Sequence, residues 1–415
     1  MNRWLILAEA QSAGQFEPID LTRPCFALRD GAFTNAERWI ALLKPSAVTF
    51  ETRDTLVAVV NEVSVSRPTA RSASAKPDEI WTIEGMVQPL ADRMWRSEHI
   101  ADFTWSSRKC RISKVSAKPK DKSSTPQALP FRAVDGLWNL IEHLPEQLKF
   151  DFDLWKRIHK TTARKLHAPP KGVFVVGDSK SLWVGKNVKV YPQNVLNTES
   201  GPIILDDDVT LEPFNRIDGP AYIGKGTSLL GGKFTGGAAI GPGCKIGGEW
   251  EASIALGFVN KAHAGFFGHG ILGEWVNLGA MTTNSDLKNT YGTVRVNRTG
   301  TAVETGLIKV GSFIADHSKT GIGTLIPTGA TWGVGVNYFG GDLAPKDIPS
   351  FVWGAKDKLV EHELNKMITT ANAAMKRRSA ILKSLDRSDE LTPAEKTLLS
   401  HLFSETAVMR ATVIR

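Results

Sequence analysis

Between positions 260 and 280 the chain reads Asn-Lys-Ala-His-Ala-Gly-Phe-Phe-Gly-His-Gly-Ile-Leu-Gly-Glu-Trp-Val-Asn-Leu-Gly-Ala. His263 and His269 are the imidazoles in this run, and an imidazole is the side chain here able to do acid–base chemistry. An imidazole with an unperturbed pKa of about 6.5 can take a proton from a nucleophile near neutral pH. The plainer alternative is a hydrogen-bonded loop histidine with no role, and that is the default for His269 and His317. Asn277 and Trp275 could equally be a corner residue and a packed aromatic. A reacting imidazole also needs a rigid backbone around it. Tight glycine corners provide one, together with N–H groups able to hold a developing oxyanion.

The positioning element is visible as a six-residue beat. Leu205, Leu211, Ile217, Ile223 and Leu229 fall six apart, and Val310, Asp316, Ile322, Thr328 and Val334 do so again. That period belongs to neither a helix nor a simple strand, and short repeats of this kind read as coils of a parallel β-helix. Three sixes make one triangular coil with the beat residue inward. The residue four later, as at Val209, Thr227, Val276, Thr282, Ile314 and Thr320, faces inward near a corner. Sharp corners favour Gly, Asn and Asp, as in Gly-Lys-Gly at 224–226, Gly-Pro-Gly at 241–243 and three aspartates at 206–208. Of 37 glycines, 32 lie between Gly172 and Gly341, which marks a separate domain. The beat breaks between Phe234 and Phe267 and near Lys288 to Leu307. Both breaks are expected to be loops thrown out of the coil, where binding residues gather.

The flanks differ. Residues 1–168 alternate short apolar runs with helical stretches, which predicts an α/β domain. Strands are expected at Trp4–Ala8, Ala47–Phe50, Leu56–Val60 and Ile80–Val87. Helices are expected at Phe33–Leu43, Asp135–Leu144 and Phe152–Leu166. Paired prolines at 169 and 170 end this part. The coil is expected over 169–342. A helical tail over 343–415 has an apolar face of Val360, Leu364, Met367, Ala371 and Met375, and a capping box at Thr392-Pro-Ala-Glu395.

Composition sets bounds. At 415 residues the chain has room for two or three domains, and 42% apolar with 23% charged residues is globular. The first apolar run is too short for a membrane span or signal peptide. Cys25, Cys110 and Cys244 suit neither a disulfide framework nor a zinc site, so a cytoplasmic setting is expected. Much of the net charge of +8 comes from residues 106–122. No aromatic interleaves with those charges, which argues against nucleic acid as a partner.

Residues 260–289 resemble the acetyltransferase half of the bifunctional bacterial enzymes that make UDP-N-acetylglucosamine, which join a nucleotidyltransferase domain to a left-handed β-helix. The likeness sits in Lys261-Ala-His263, Gly268 and Gly273-Glu-Trp-Val-Asn-Leu-Gly-Ala280. It implies that His263 is the general base on a sugar amino group, that Asn277 holds the sugar and that Ala280 lies at the acetyl-CoA site. Val310-Gly-Ser312 looks like a later CoA-contacting run, so Ser312 joins the acyl-CoA set. Lys319, in the polar corner at 315–320, could face CoA phosphates. Lys261 and Lys288 complete the implied substrate set. An amine attacking a thioester must lose a proton, which is the task an imidazole suits. Two positions depart from the family: Phe266 replaces a tyrosine and Glu251 replaces a lysine that meets the substrate phosphate.

The family's opening Gly-rich phosphate loop is absent from Leu7-Ala-Glu-Ala-Gln-Ser-Ala-Gly14. The runs Pro18-Ile-Asp-Leu-Thr-Arg-Pro24, Leu28-Arg-Asp-Gly31 and Glu37-Arg-Trp39 instead resemble an alternate branch, the sugar nucleotidyltransferases of the GlmU-like family. Asp286-Leu-Lys-Asn-Thr-Tyr-Gly292 fits that branch too. It makes Arg23 and Arg29 candidates for nucleotide phosphates, with capping and pairing inside a turn as the alternative.

The expected architecture is therefore an α/β nucleotidyltransferase-like domain, a left-handed parallel β-helix and a helical tail. The expected activity is acyl-CoA-dependent N-acyl transfer to an amino-sugar phosphate or nucleotide amino sugar, in a homotrimer. The alternatives are a sugar-1-phosphate nucleotidyltransferase with a trimerising β-helix, and a non-catalytic sugar-nucleotide-binding scaffold. Acetyl-CoA is the expected donor. Mg²⁺ would accompany an active N-terminal domain, and no metal ligand is assigned beyond weighing Asp92 and Asp102.

Overall fold

The computed structural model describes residues 3–9, 14–62, 77–89, 103–107, 110–116, 131–159 and 170–414. Asp92 and Asp102 lie outside them, as do residues 108, 109 and 117–122 of the basic stretch.

The N-terminal part is a five-stranded sheet. β1 (Arg3–Ala8) lies between β2 (Ala47–Glu51) and β3 (Glu79–Glu84), with all three parallel. After the short β4 (Val87–Pro89), the strands β5 (Phe103–Ser107) and β6 (Cys110–Ser116) continue the sheet antiparallel from β3. α1 (Asn35–Leu43) begins at a Thr34–Glu37 capping box, and its Leu42, Leu43 and Trp39 enter the core. The run Leu56–Val60 is not a strand. It lies in α2 (Asp54–Glu62), where Leu56 and Val59 are buried while Val57 and Ala58 are exposed. That three-residue spacing is a helix face, and Asp54 favours a helix N-terminus. The helix expected from Phe152 starts earlier, as α4 (Leu144–Ile158), directly after α3 (Leu137–Glu142).

One buried network accounts for much of the 28–39 motif. Arg38 is fully buried between Asp30 at 2.7 Å and Asp151 at 2.7 and 2.9 Å. A buried guanidinium needs such pairing to repay its lost hydration. Gly31 is required beside it, because a Cβ there would collide with the Asp151 carboxylate.

Residues from Val173 onward form a parallel β-solenoid of about ten turns. Three faces stack in parallel. One runs through Ile203–Leu205, Ala221–Ile223, Ile271–Leu272, Phe313–Ile314 and Thr331–Trp332. A second runs through Lys189–Val190, Thr210–Leu211, Lys245–Ile246, Asn260–Lys261, Asn277, Lys319–Thr320 and Asn337–Tyr338. The third carries Val173–Val176, Asn194–Asn197, Asn215–Asp218, Phe266–Gly268 and Thr283–Asn284.

The first beat points inward, with Leu205, Leu211, Ile217, Ile223 and Leu229 all fully buried. The second beat is real but its phase differs. Ile314, Thr320, Ile326, Trp332 and Tyr338 fill the interior, whereas Ile322 is 74% exposed at a corner. The break between Phe234 and Phe267 is not an excursion. The chain stays in the coil through the long strands Ser228–Ile240 and Lys245–Ala255. The coil itself shortens there: the step is 18 residues from Ile203 to Ala221 but 15 from Ala238 to Ser253. Contracted faces destroy a six-residue beat without ejecting a loop.

The second break is a true excursion. From Ile271 to its partner Phe313 the coil takes 42 residues, and the surplus forms the hairpin Arg295–Arg298/Thr301–Glu304. Val294 and Val296 are buried in a cluster that spans the N-terminal core and the adjoining coil residues, and Arg298 donates to the Asp135 carbonyl at 3.2 Å. The coil also runs past residue 342, through Asp347–Ile348 and Val352–Ala355. Val360 belongs to the closing antiparallel strand Lys358–Glu361 rather than to a helix. Helices follow at α5 (Leu364–Lys376), α6 (Ser379–Ser384), α7 (Pro393–Glu405) and α8 (Ala407–Ala411), with the Thr392–Glu395 capping box formed. Met367, Ala371, Met375, Leu398 and Leu402 pack with Leu56 and Val59 of α2 and with Trp275 and Ala315 of the coil. No helix among the described residues is long and apolar enough to cross a membrane.

Candidate functional site

His263 stands at the corner after Asn260–Lys261. The Lys261 side chain turns inward and is 2% exposed. Its ammonium donates to the carbonyls of Gly247 at 2.8 Å, Gly265 at 2.7 Å and His263 at 3.3 Å. Burial pulls its pKa down to about 8 against the upward pull of Glu249. Those three bonds fix the turn on both sides of His263. Gly265 completes it at φ +131°, where a Cβ would strike the Thr282 carbonyl oxygen. The His263 imidazole is exposed and has no hydrogen-bond or ion-pair partner among the described residues.

Coil register decides what lies beside it. Asn260 pairs with Asn277, and Asn277 with Lys319. Three residues on from each, His263, Ala280 and Ile322 therefore occupy one corner in successive coils. The Met281 N–H donates to Ala264 O and the Gly323 N–H to Ala280 O, both within 2.9 Å. The Ala280 N–H has no acceptor among the described residues. Asn277 is exposed, and its Oδ1 accepts from Asn260 Nδ2 at 2.7 Å, which leaves its own amide donor outward. Met281 at 61% and Ile322 at 74% exposure make the corner apolar, and Phe214, Leu230 and Leu325 prolong that exposed stripe along the coil.

The other predicted residues are more dispersed. Lys319 shares Asn277's row, is mostly buried, and is pulled down to about 8 by that burial. Ser312 precedes Phe313 on a different face, with its hydroxyl buried and unpartnered among the described residues. Lys288 lies in the excursion and donates to the Thr293 carbonyl. Within one chain, then, the fold brings His263, Ala280, Asn277 and Lys319 to one edge and leaves Ser312 and Lys288 apart from it. Phe266 is locked by two hydrogen bonds between its backbone and Thr283 Oγ1, at 2.9 and 3.3 Å. Trp275 is a packed aromatic, stacked on Phe258 at 4.4 Å.

Arg23 and Arg29 border a cavity of about 580 Å³ at the joint of the sheet domain, coil and tail. Both are already engaged. Arg23 pairs with Asp316 and lies 3.7 Å from Glu274. Arg29 donates to Ala32 O, lies 3.6 Å from Glu37 and sits over the Tyr222 ring at 5.3 Å. Glu274 takes a two-pronged contact from Arg387 at 2.9 and 3.0 Å. Its burial raises the pKa, but Arg387 and Arg23 outweigh that and hold the carboxyl at about 2. Asp316 is shifted up by burial, against Arg23. Burial, with Lys319 beside it, pushes the His317 imidazole down to about 3, so it is neutral. Sequence reasoning missed Glu274, Asp316 and Arg387 as a set. One signal was present: Asp316 is an acid in a series read as inward aliphatics.

At the C-terminal end of β1, the Asp20 carboxyl is buried with Oδ1 unpartnered among the described residues. Glu17 nearby is raised to about 7 by burial and by Asp20. Arg53 donates to the Asp20 carbonyl, which ties this loop to the end of β2.

Residues 5–160 match the protein family described as sugar nucleotidyl transferase. The bifunctional sugar-1-phosphate nucleotidylyltransferase/acetyltransferase of Sulfurisphaera tokodaii is 29% identical over 182 residues, covering 40% of this chain and 43% of that protein. The bifunctional protein GlmU of Synechococcus elongatus is 33% identical over 172 residues, covering 40% and 32%. That of Stenotrophomonas maltophilia is 31% identical over 175 residues, covering 37% and 35%. The chain thus spans less than half the length of the curated relatives it matches. Among solved structures, an Arabidopsis UDP-N-acetylglucosamine acyltransferase is 12% identical over 59% of this chain and 91% of its own, with a TM-score of 0.25.

Proposed function

Starting from a chain that is GlmU-like, with a sugar nucleotidyl transferase domain over residues 5–160, we propose an acyl-CoA-dependent N-acyltransferase working at the His263 corner. The substrate class is an amino-sugar phosphate or nucleotide amino sugar. The observation that carries this reading is the pairing of an exposed, unpartnered imidazole with the open Ala280 N–H on the same corner. In the proposed step the amine nitrogen attacks the thioester carbonyl while His263 takes the amine proton. The oxygen of the tetrahedral intermediate accepts from the Ala280 N–H. Collapse expels the CoA thiolate, which receives the proton from the imidazolium and leaves an amide. Lys261 acts as a strut for the turn, Asn277 offers its free amide donor to the sugar, and Lys319 serves the acyl-CoA side.

The apolar stripe of Phe214, Met281 and Ile322 beside this corner suits burial against a second copy. In the proposed homotrimer a neighbouring coil covers the stripe and closes the site. That arrangement also gives Lys288, remote within one chain, a neighbour's site to serve, whereas Ser312 is fully buried and reaches neither.

For the N-terminal domain we propose nucleotide-sugar binding, with sugar-1-phosphate nucleotidyl transfer as its reaction. Ligands of open α/β sheets gather outside the carboxyl ends of the parallel strands. Glu17 and Asp20 are the described acids there that fit a Mg²⁺ ion, given the unpartnered Asp20 Oδ1. Such an ion would neutralise triphosphate charge. Arg23 and Arg29 are the proposed phosphate contacts, which requires them to leave part of their present pairing. The match confined to residues 5–160 favours a second reading, in which nucleotidyl transfer is the only reaction and the coil is a trimerising scaffold.

The test is thiol release from acetyl-CoA with a panel of amino-sugar phosphates and UDP-amino sugars. Release by the wild type and its loss in His263→Ala are expected. No release with any acceptor, or full activity in His263→Ala, defeats the acyltransferase reading. Thermal stabilisation by UTP or a UDP-sugar, with none by acetyl-CoA, would point to the second reading.

A further inference from the structure

Away from the His263 corner, Glu251, His269 and Asp286 converge on the outer side of the coil. One ligand atom from each lies within 4.8 Å of the others. They come from three separate segments whose backbones are tied together. The His269 N–H donates to Glu251 O at 2.9 Å, Val310 N–H to Asp286 O at 2.9 Å and Gly311 N–H to His269 O at 2.8 Å. Asn284 bonds both the N–H and the carbonyl of Gly268, at 2.8 and 2.9 Å. Gly268 keeps room beside the cluster, since a Cβ there would press on the Phe266 ring and lie 3.0 Å from Asp286 Oδ2. His269 is oriented by Asp286 at 2.7 Å. A cation has already been drawn in: the Lys309 ammonium sits 3.1 Å from Glu251 Oε1, on a side chain that is 44% exposed and free to swing out.

From this geometry we infer that Glu251, His269 and Asp286 form a binding site for a divalent first-row transition ion at the neck of the excursion. The donor set selects the ion. One imidazole with two carboxylates suits Zn²⁺, Mn²⁺ or Co²⁺, whereas Mg²⁺ and Ca²⁺ prefer oxygen alone. In this arrangement Lys309 is the internal cation that the ion displaces. The place gives the site a consequence. Asp286 is where the chain leaves the coil and Lys309 where it returns, joined by the Leu287–Lys309 bridge. An ion there would clamp the base of the hairpin whose Arg298 donates to the Asp135 carbonyl and whose Val294 and Val296 lie in the cluster shared by the sheet domain and the coil. Metal binding would thus stiffen the link between the two halves. This inference does not depend on the acyl-transfer reading.

The experiment uses untagged full-length chain stripped with EDTA, titrated calorimetrically with Zn²⁺ and then Co²⁺, with hydrogen exchange over 287–309 as a second readout. One ion per chain and slower exchange in the hairpin are expected. His269→Asn, chosen because Asn tolerates the left-handed backbone at this position (φ +49°), and Asp286→Asn should each weaken binding at least about tenfold, the lower end of what even outer-shell losses cost. Lys309→Met should bind about tenfold tighter, because the competing charge is gone. His401→Ala, on the exposed face of α7, should bind as the wild type does. No heat with either ion, affinity untouched by His269→Asn and Asp286→Asn in variants that melt normally, or no tightening in Lys309→Met would each overturn the proposal.

Discussion

Replacing Glu274 with Gln keeps its shape and removes its charge, so it tests whether ion pairing locks the tail and the sheet domain onto the coil. Glu274 receives Arg387 from the tail at 2.9 and 3.0 Å and lies 3.7 Å from Arg23 of the sheet domain. Its carboxyl is held at about 2 against an ordinary 4.5. At 1.36 kcal/mol per pKa unit, that difference amounts to about 3 kcal/mol at neutral pH. The sign follows from the depressed pKa. The stabilisation is complete above the unfolded value near 4.5 and is lost as pH falls through about 2. The gap between wild type and Glu274→Gln should therefore be about 2–3 kcal/mol at pH 7 and less than half of that by pH 3. A chain of several parts need not unfold in one step. The better readout is hydrogen exchange of the α7 amides, which reports local release of the tail. Arg387→Met added to Glu274→Gln should cost little more, since its partner is already gone. A gap under about 0.5 kcal/mol at pH 7, or one that does not shrink in acid, would refute the reasoning.

Other outcomes follow from the same geometry. His263→Ala should lower acyl transfer at least about a hundredfold with an unchanged melting temperature, because the imidazole has no intramolecular partner to lose; thiol release and calorimetry check both. Gly265→Ala should destabilise the coil by about 2 kcal/mol or more, read by denaturant melting, since its φ of +131° and the facing Thr282 carbonyl exclude a Cβ. Arg38→Met leaves Asp30 and Asp151 buried without their counter-ion and should cost about 3–5 kcal/mol, seen as early melting of the sheet domain. Ile322→Lys should reduce the assembled mass in light scattering if the exposed stripe is covered by another copy, and a monomeric wild type would contradict that assembly.

Much of the architecture was legible in the residues because burial imposes a period. Leu205 to Leu229 had to be inward in a coil of sixes, and Thr392 with Glu395 had to start a helix. The sequence was silent where a segment's state depends on what it packs against. Leu56 to Val60 reads as a strand by composition, yet its helix is selected by burial of Leu56 and Val59 against the tail. Val360 fits a helical face, yet it closes the coil as a strand. The lost beat from Phe234 to Phe267 looked like an ejected loop because a period cannot distinguish shortened faces from a departure.

For the sites the division is sharper. The sequence by itself determined a solenoid of stacked coils and a sheet domain before it, because those follow from side-chain type and short-range spacing, while His263 stood out only through its resemblance to the GlmU-like family. Only the tertiary structure decided the partners. It stacked Ala280 on His263 seventeen residues away and turned Lys261 into a strut for the corner. It drew Arg23, Glu274, Asp316 and Arg387 from three parts of the chain into one joint. It also set Lys309 against Glu251 across 58 residues. Electrostatic and hydrogen-bond energies depend on distance and burial in space, and a linear chain carries neither until it is folded.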